Sequence, residues 1–83
     1  MASKFELTID RDADCAYFYF SGAKTVSTRS MNDEINVDID AKGNIVGLEL
    51  LTISAEVPIE SLTAEFNLSD FQLSELKKAL ASR

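Results

Sequence analysis

The sequence predicts an α+β domain in which an antiparallel β-meander of about four strands is followed by one or two C-terminal helices. Apolar and polar residues alternate through most of residues 3–51, which is the period of strands with one solvated face. From Pro58 onward the apolar residues recur at helical spacing instead. A chain of 83 residues with one proline is expected to form a single domain over residues 1–83.

The first two predicted strands differ in character. In the first, Phe5, Leu7 and Ile9 share one face and alternate with polar residues. The second, "CAYFYF" at residues 15–20, carries no charge on either face, so we expect it to be buried on both sides. A short strand, "TVSTR" at residues 25–29, is predicted between the turns "SGAK" and "SMND".

The most regular alternation lies in the second half of the sheet, where Ile35, Val37 and Ile39 form one face. The following "DAKGN" predicts a hairpin in which Asp40 accepts turn hydrogen bonds and Gly43 supplies a positive φ. The last strand, residues 45–51, is expected to place Val46, Leu48 and Leu50 on one face. The other face of that strand would carry Ile45, Gly47, Glu49 and Leu51.

Two helices are predicted after the sheet. A short one over residues 58–66 follows from the spacing of Ile59, Leu62 and Phe66. A second begins at residue 70, because Ser69 and Gln72 have the spacing of a capping box, and runs to about residue 81.

Composition and charge restrict the function. The net charge of −6 argues against direct nucleic-acid binding, which needs clustered Lys and Arg, and favours a basic protein as partner. The single cysteine, Cys15, cannot form an internal disulfide, so a cytoplasmic location is expected. No apolar stretch approaches the ~20 residues that a membrane span requires.

The aspartates of "DRDADCAYFYFS" suggest a metal loop at first sight. Asp10, Asp12 and Asp14 match the first ligand positions of an EF-hand, but Cys15 replaces its glycine and Ser21 its bidentate glutamate. We therefore expect a turn and no metal or other cofactor. The chain has no histidine, the usual activator of a serine or cysteine nucleophile, so it is not expected to be an enzyme.

The stretches "IDRDADCAYFYF" and "INVDIDAKGNIVGLELLTIS" resemble the short prokaryotic proteins catalogued as domain of unknown function 2283. The resemblance covers roughly residues 5–55. The matching positions are Asp12, Ala13, Asp14, Tyr17, Val37, Asp38, Asp40, Gly43, Gly47, Leu48, Glu49 and Ser54. The sequence departs from the family pattern at Cys15 and Ala16, and in having Leu48 for isoleucine. The resemblance implies a compact β-rich domain from bacteria, archaea or their phages, and it implies no particular activity.

The residues themselves suggest a non-catalytic protein-interaction module, inhibitor-like or antitoxin-like, and the resemblance implies a prokaryotic or phage origin. The second face of the sheet needs a cover, and we expect a homodimer formed through this face. Its predicted contact residues are Tyr17, Tyr19, Ile45 and Leu51. The alternative is that the helix over residues 58–66 covers this face within one chain.

A second hypothesis is an acidic decoy that imitates a phosphate backbone and blocks the basic groove of a nuclease or other nucleic-acid-binding protein. Its surface would consist of Asp10, Asp12, Asp14, Glu34, Asp38 and Asp40. In a four-stranded meander the turns that carry most of these residues lie at the same end of the sheet. The aspartates are therefore expected to gather at one pole, where a solvated turn remains the simpler explanation.

Overall fold

The computed structural model describes residues 3–83, which form five strands and two helices. The strands are β1 (Ser3–Asp10), β2 (Cys15–Ser21), β3 (Ser27–Asn32), β4 (Ile35–Ile39) and β5 (Ile45–Leu50). The helices are α1 (Ile59–Phe66) and α2 (Asp70–Ala81). All strand pairs are antiparallel. The predicted α+β class is confirmed, with five strands where the sequence indicated about four.

The strand order, β1-β2-β5-β4-β3, departs from a simple meander because the last strand is inserted between β2 and β4. Strand β5 is the most buried of the five, and the central position gives it a partner on each side. Its Leu48 lies between Phe18 of β2 and Val37 of β4. The insertion therefore places the most buried strand in the centre, where Leu48 is removed from water between two apolar neighbours.

One face of the sheet forms the core together with both helices. Leu62 of α1 and Leu76 of α2 belong to the same buried cluster as Phe18, and Leu68 between the helices joins them. Helix α1 thus packs on the core side, and it does not cover the opposite face as the alternative interpretation supposed. The expectation that β2 is buried on both sides is wrong, since only Ala16, Phe18 and Phe20 are buried and the alternate residues are half-exposed.

Strand β3, at the edge of the sheet, continues to Asn32 and so extends beyond the predicted end at residue 29. Ser30 and Asn32 pair with β4 across a register shift, so most of the predicted "SMND" turn belongs to the strand. The turn is confined to residues 33–34. An irregularity of this kind adds a residue to one strand of a pair and does not disturb the alternation that predicts the partner strand.

The connection from the sheet to the helices is fixed by the side chain of Arg83. The Arg83 guanidinium donates hydrogen bonds from Nη1 to the carbonyl oxygens of Ile53 and Ala55, at 3.0 and 2.6 Å. Ala55 is itself buried in the core cluster. Residue 83 thereby holds the segment that follows β5 against the last turn of α2.

The predicted capping box at the start of α2 is confirmed. The Ser69 hydroxyl accepts a hydrogen bond from the Gln72 amide at 3.1 Å, and the Gln72 side chain accepts one from the Ser69 amide at 2.9 Å. Ser69→Ala is expected to lower the free energy of unfolding by about 1 kcal/mol, the usual effect of a lost N-cap, and the melting temperature by about 5 °C. Thermal unfolding followed by circular dichroism measures this, and an unchanged melting temperature would contradict it.

Candidate protein-interaction surface

The sheet face opposite α1 and α2, called the open face below, consists of two rows of side chains that cross all five strands. The strand register aligns the first row as Glu6, Tyr19, Gly47, Asp38 and Thr28. The second row is Thr8, Tyr17, Glu49, Asn36 and Ser30. Neither row contains a lysine or arginine. The open face is therefore a polar and acidic surface with two tyrosines on its second strand.

Tyr17 links three strands across this face. Its ring lies directly over Gly47, where any Cβ atom would overlap the phenol. Its hydroxyl donates a hydrogen bond of 2.6 Å to Oδ2 of Asp38, and Thr28 donates one of 2.5 Å to Oδ1 of the same carboxylate. Glycine is thus required at position 47 by the close approach of an aromatic ring, a known way to cover a glycine in a sheet.

The environment of Tyr17 also keeps its hydroxyl protonated. Burial raises its pKa well above the ordinary tyrosine value of 10.0, and the hydrogen bond to Asp38 raises the pKa further. Both effects favour the neutral phenol, because a phenolate would lose solvation and face a carboxylate. Tyr17 therefore acts as a hydrogen-bond donor and is not suited to be a base.

This shifted pKa predicts a pH dependence of stability. Above about pH 10 the unfolded chain releases the Tyr17 proton while the folded protein retains it, so the free energy of unfolding should fall as pH rises. Urea titrations between about pH 9 and about pH 11 should show a shallower decline for Tyr17→Phe than for the wild type. Tyr19→Phe removes one phenol as well and serves as the control. Equal declines in the wild type and Tyr17→Phe would contradict the assignment.

Tyr19 packs beside Tyr17, and a lysine ammonium lies over its ring. The two ring centroids are 4.5 Å apart with an interplanar angle of 52°. The Lys4 ammonium lies 4.0 Å from the centroid of the Tyr19 ring and 3.6 Å from Oε1 of Glu6. Because Glu6 is directly opposite Tyr19 in the β1–β2 pair, one ring face and one carboxylate converge on the same ammonium.

The residues predicted for self-association do not all share this surface. Tyr17 and Tyr19 are on the open face, but Ile45 is 6% exposed and belongs to the core cluster. The reason is a register shift between Asp38 and Ile39, which pairs Ile39 with Ile45 and breaks the alternation assumed from the sequence. Leu51 is 42% exposed but follows the end of β5, outside both rows.

The predicted acidic residues are spread over the molecule and do not meet at one pole. The turn with Asp10, Asp12 and Asp14 joins β1 to β2, whereas Asp40 begins the turn from β4 to β5. Tyr19 near the end of β2 pairs with Gly47 near the start of β5, so these two turns lie at opposite ends of the sheet. With β3 in the sheet, the chain reverses once more between these two turns than it would in a four-stranded meander.

Most of these carboxylates accept internal hydrogen bonds. Asp10 accepts from the Ala13 amide at 3.1 Å, and Asp14 accepts from the Ile53 amide at 3.2 Å. Asp40, which is 9% exposed, accepts from two amides of its turn. Glu34 accepts from the Thr52 hydroxyl. Their roles in this structure are those of turn and loop acceptors.

A small cavity of about 110 Å³ opens beside Tyr17 at the Asp10 end of the open face. Asp10, Glu49 and the half-buried Cys15 lie around it.

Among residues 3–83, no three metal-ligating side chains come close enough together to hold an ion. Within the same residues neither helix is long and apolar enough to cross a membrane.

Several residues of this surface escaped the sequence-based prediction of the site, among them Lys4, Glu6, Gly47 and Glu49. The alternation of β1 does place Lys4 and Glu6 on its solvated side, but their position beside Tyr19 depends on the register between strands. Gly47 has no side chain and therefore gave no signal of its own. Its role follows only from the ring that lies over it.

The fold and this surface define a small antiparallel-sheet domain with one face covered by helices and the other covered by no element within residues 3–83. The chain belongs to the family described as Protein of unknown function (DUF2283), whose family model matches residues 6–54. The match covers the whole of β2 to β5 and most of β1, and it ends before both helices. No curated protein and no solved structure matches the chain.

Proposed function

We propose that this protein is a non-catalytic interaction module that acts, in the manner of an inhibitor or antitoxin, by docking the open face onto a basic protein. The observation that carries the proposal is the composition of that face. Its rows contain Glu6, Asp38 and Glu49, and Asp10 lies at one end, while the Lys4 ammonium lies over the Tyr19 ring. We place this activity in the cytoplasm, since Cys15 is an unpaired thiol.

The arrangement of the face suits docking. Tyrosines supply large contact area at low cost in conformational entropy, and interfaces are enriched in them. Here Tyr17 is already fixed by Asp38 and Gly47, and it supports Tyr19 through ring contact. The contact surface is thus pre-organised, which reduces the entropy lost on binding. The surrounding carboxylates would attract a basic surface and orient it during encounter.

Homodimerisation through the same face is the second candidate, supported by the tyrosine pair at its centre. A two-fold axis would, however, place each acidic face against its own copy. Charge therefore favours a basic partner over a second copy of the chain. Light scattering separates the two, because a dimer of acidic faces should strengthen as salt screens the repulsion, whereas binding to a basic partner should weaken.

The decoy hypothesis has less support. A phosphate mimic needs a continuous series of free carboxylates, but Asp38 already accepts two hydrogen bonds and Asp40 accepts two others within its turn. The remaining members, Asp10, Asp12, Asp14 and Glu34, lie at the end of the sheet opposite Asp40, and three of them accept hydrogen bonds from the protein itself. A compact face with a tyrosine centre fits recognition of a folded basic surface better than imitation of a nucleic-acid backbone.

Matched charge removal tests the proposal. The double variant Glu6→Gln with Glu49→Gln neutralises two charges of the open face, and Glu60→Gln with Glu75→Gln neutralises two on the helices. The probe is a fluorescein-labelled octa-arginine peptide, and its anisotropy reports binding. We expect about tenfold weaker binding for the open-face variant, equivalent to about 1.4 kcal/mol, and a change within about twofold for the helix variant.

Varying the ionic strength is the second part of this binding test. Raising the salt from about 0.01 to about 0.15 M shortens the Debye length from about 30 to about 8 Å and should weaken wild-type binding markedly. Equal effects of the two double variants would mean that the peptide responds to net charge alone. That result would contradict the proposal that the open face is the contact surface.

A further inference from the structure

We propose that Tyr19 and Glu6 form a subsite for one arginine side chain of the basic partner, and that Lys4 occupies this subsite when the partner is absent. The inference rests on the proposed function and makes it specific. Its basis is the cation that the structure already places there. The Lys4 ammonium lies 4.0 Å from the Tyr19 ring centroid and 3.6 Å from the Glu6 carboxylate.

The chemistry of the subsite is that of cation recognition. An aromatic face attracts a cation through its quadrupole, and a carboxylate beside the ring adds a charge-assisted contact. The strand register makes this pairing of groups rigid, because Glu6 and Tyr19 are direct cross-strand partners. Tyr17 restricts the movement of the Tyr19 ring, because it contacts that ring and is itself held over Gly47 by its hydrogen bond to Asp38.

Lys4 is suited to be displaced. Its side chain and that of Glu6 are 45% and 54% exposed, so their ion pair contributes little to stability. Lys4 belongs to the edge strand β1, near its beginning, and its flexible stem can turn away without disturbing the sheet. A guanidinium has an advantage over the ammonium at this site, because its plane stacks on the ring while its fork meets the carboxylate.

Three variants test the subsite with the labelled octa-arginine peptide. Tyr19→Leu removes the aromatic face and should weaken binding about fivefold, whereas Tyr19→Phe keeps the face and should remain within about twofold of the wild type. Lys4→Met removes the internal competitor and should tighten binding. Its matched control is Lys77→Met on α2, which changes the net charge equally; the effect of Lys4→Met should exceed that of the control by about threefold.

A spectroscopic readout accompanies the affinities. An arginine stacked on Tyr19 should show upfield-shifted Hδ protons from the ring current in complexes with the wild type and Tyr19→Phe, and no such shift with Tyr19→Leu. If Lys4→Met binds no tighter than Lys77→Met, or if Tyr19→Leu binds like the wild type, the subsite is wrong. Such a result together with weakened binding by Glu6→Gln and Glu49→Gln would overturn the subsite but leave the proposed function standing. Absence of wild-type binding to the peptide would overturn both.

Discussion

Replacing Leu76 with alanine is expected to lower the free energy of unfolding by about 3 kcal/mol, the middle of the range for a leucine removed from a core. Leu76 is 0% exposed and joins α2 to the cluster beneath the sheet. A domain of this size has a total stability of only about 4 to 12 kcal/mol, so the variant should lose between about a quarter and about three quarters of it. Urea titration monitored by circular dichroism measures the loss.

The same helix offers the control. Phe71 is 64% exposed, although its ring meets that of Phe5 edge-on at 5.4 Å. Phe71→Ala should therefore cost about 1 kcal/mol or less. The family match ends at residue 54, before both helices, so this comparison tests whether the C-terminal region is integral to the folded unit. Equal losses in the two variants would show that α2 is not anchored through Leu76.

Gly47→Val should reduce stability by about 3 kcal/mol through a different mechanism. The new side chain would occupy the space of the Tyr17 ring, and overpacking of this kind costs about 1–3 kcal/mol. Displacing the ring also breaks its hydrogen bond to Asp38, which adds about 1 kcal/mol. Because Tyr17 supports Tyr19, the variant should lose affinity for the octa-arginine peptide as well.

A double-mutant cycle tests whether contact with Tyr17 causes the loss of stability in Gly47→Val. In a Tyr17→Ala background the obstacle is gone, and Gly47→Val should cost less than about 1 kcal/mol, since valine is favoured in strands. Gly22→Ala is the glycine control, because its added Cβ would meet no atom within 4 Å. If Gly47→Val is equally damaging in both backgrounds, the contact with Tyr17 is not the reason for glycine at this position.

Local features of the fold were accessible from the sequence. Both helices and the capping box at Ser69 followed from spacing alone, because capping depends on residues within one turn. The hairpin that ends at Gly43, whose φ is +84°, was accessible for the same reason. The order of the strands was not, because the insertion of β5 between β2 and β4 depends on contacts between residues far apart in the chain.

The candidate site, too, was only partly predictable from the sequence. Tyr17 and Tyr19 were identified because two uncharged faces on one strand are conspicuous, whereas Ile45 was misplaced by a register shift that no alternation reveals. The common pole of aspartates failed because a sheet of five strands, unlike one of four, places the turns after β1 and β4 at opposite ends. Glu6 becomes important only when the register places it beside Tyr19. Pairing between strands, not periodicity within them, determines this surface.

A spin-labelled octa-arginine peptide tests most directly whether the open face is the contact surface. Paramagnetic broadening of methyl signals reports which side of the protein the peptide approaches. The Thr8 and Thr28 methyls mark the open face, and the Thr63 methyl on α1 marks the covered one. We expect strong broadening of Thr8 and Thr28 and little of Thr63, reversed by excess unlabelled peptide. Equal broadening of all three, or selective broadening of Thr63, would contradict the account.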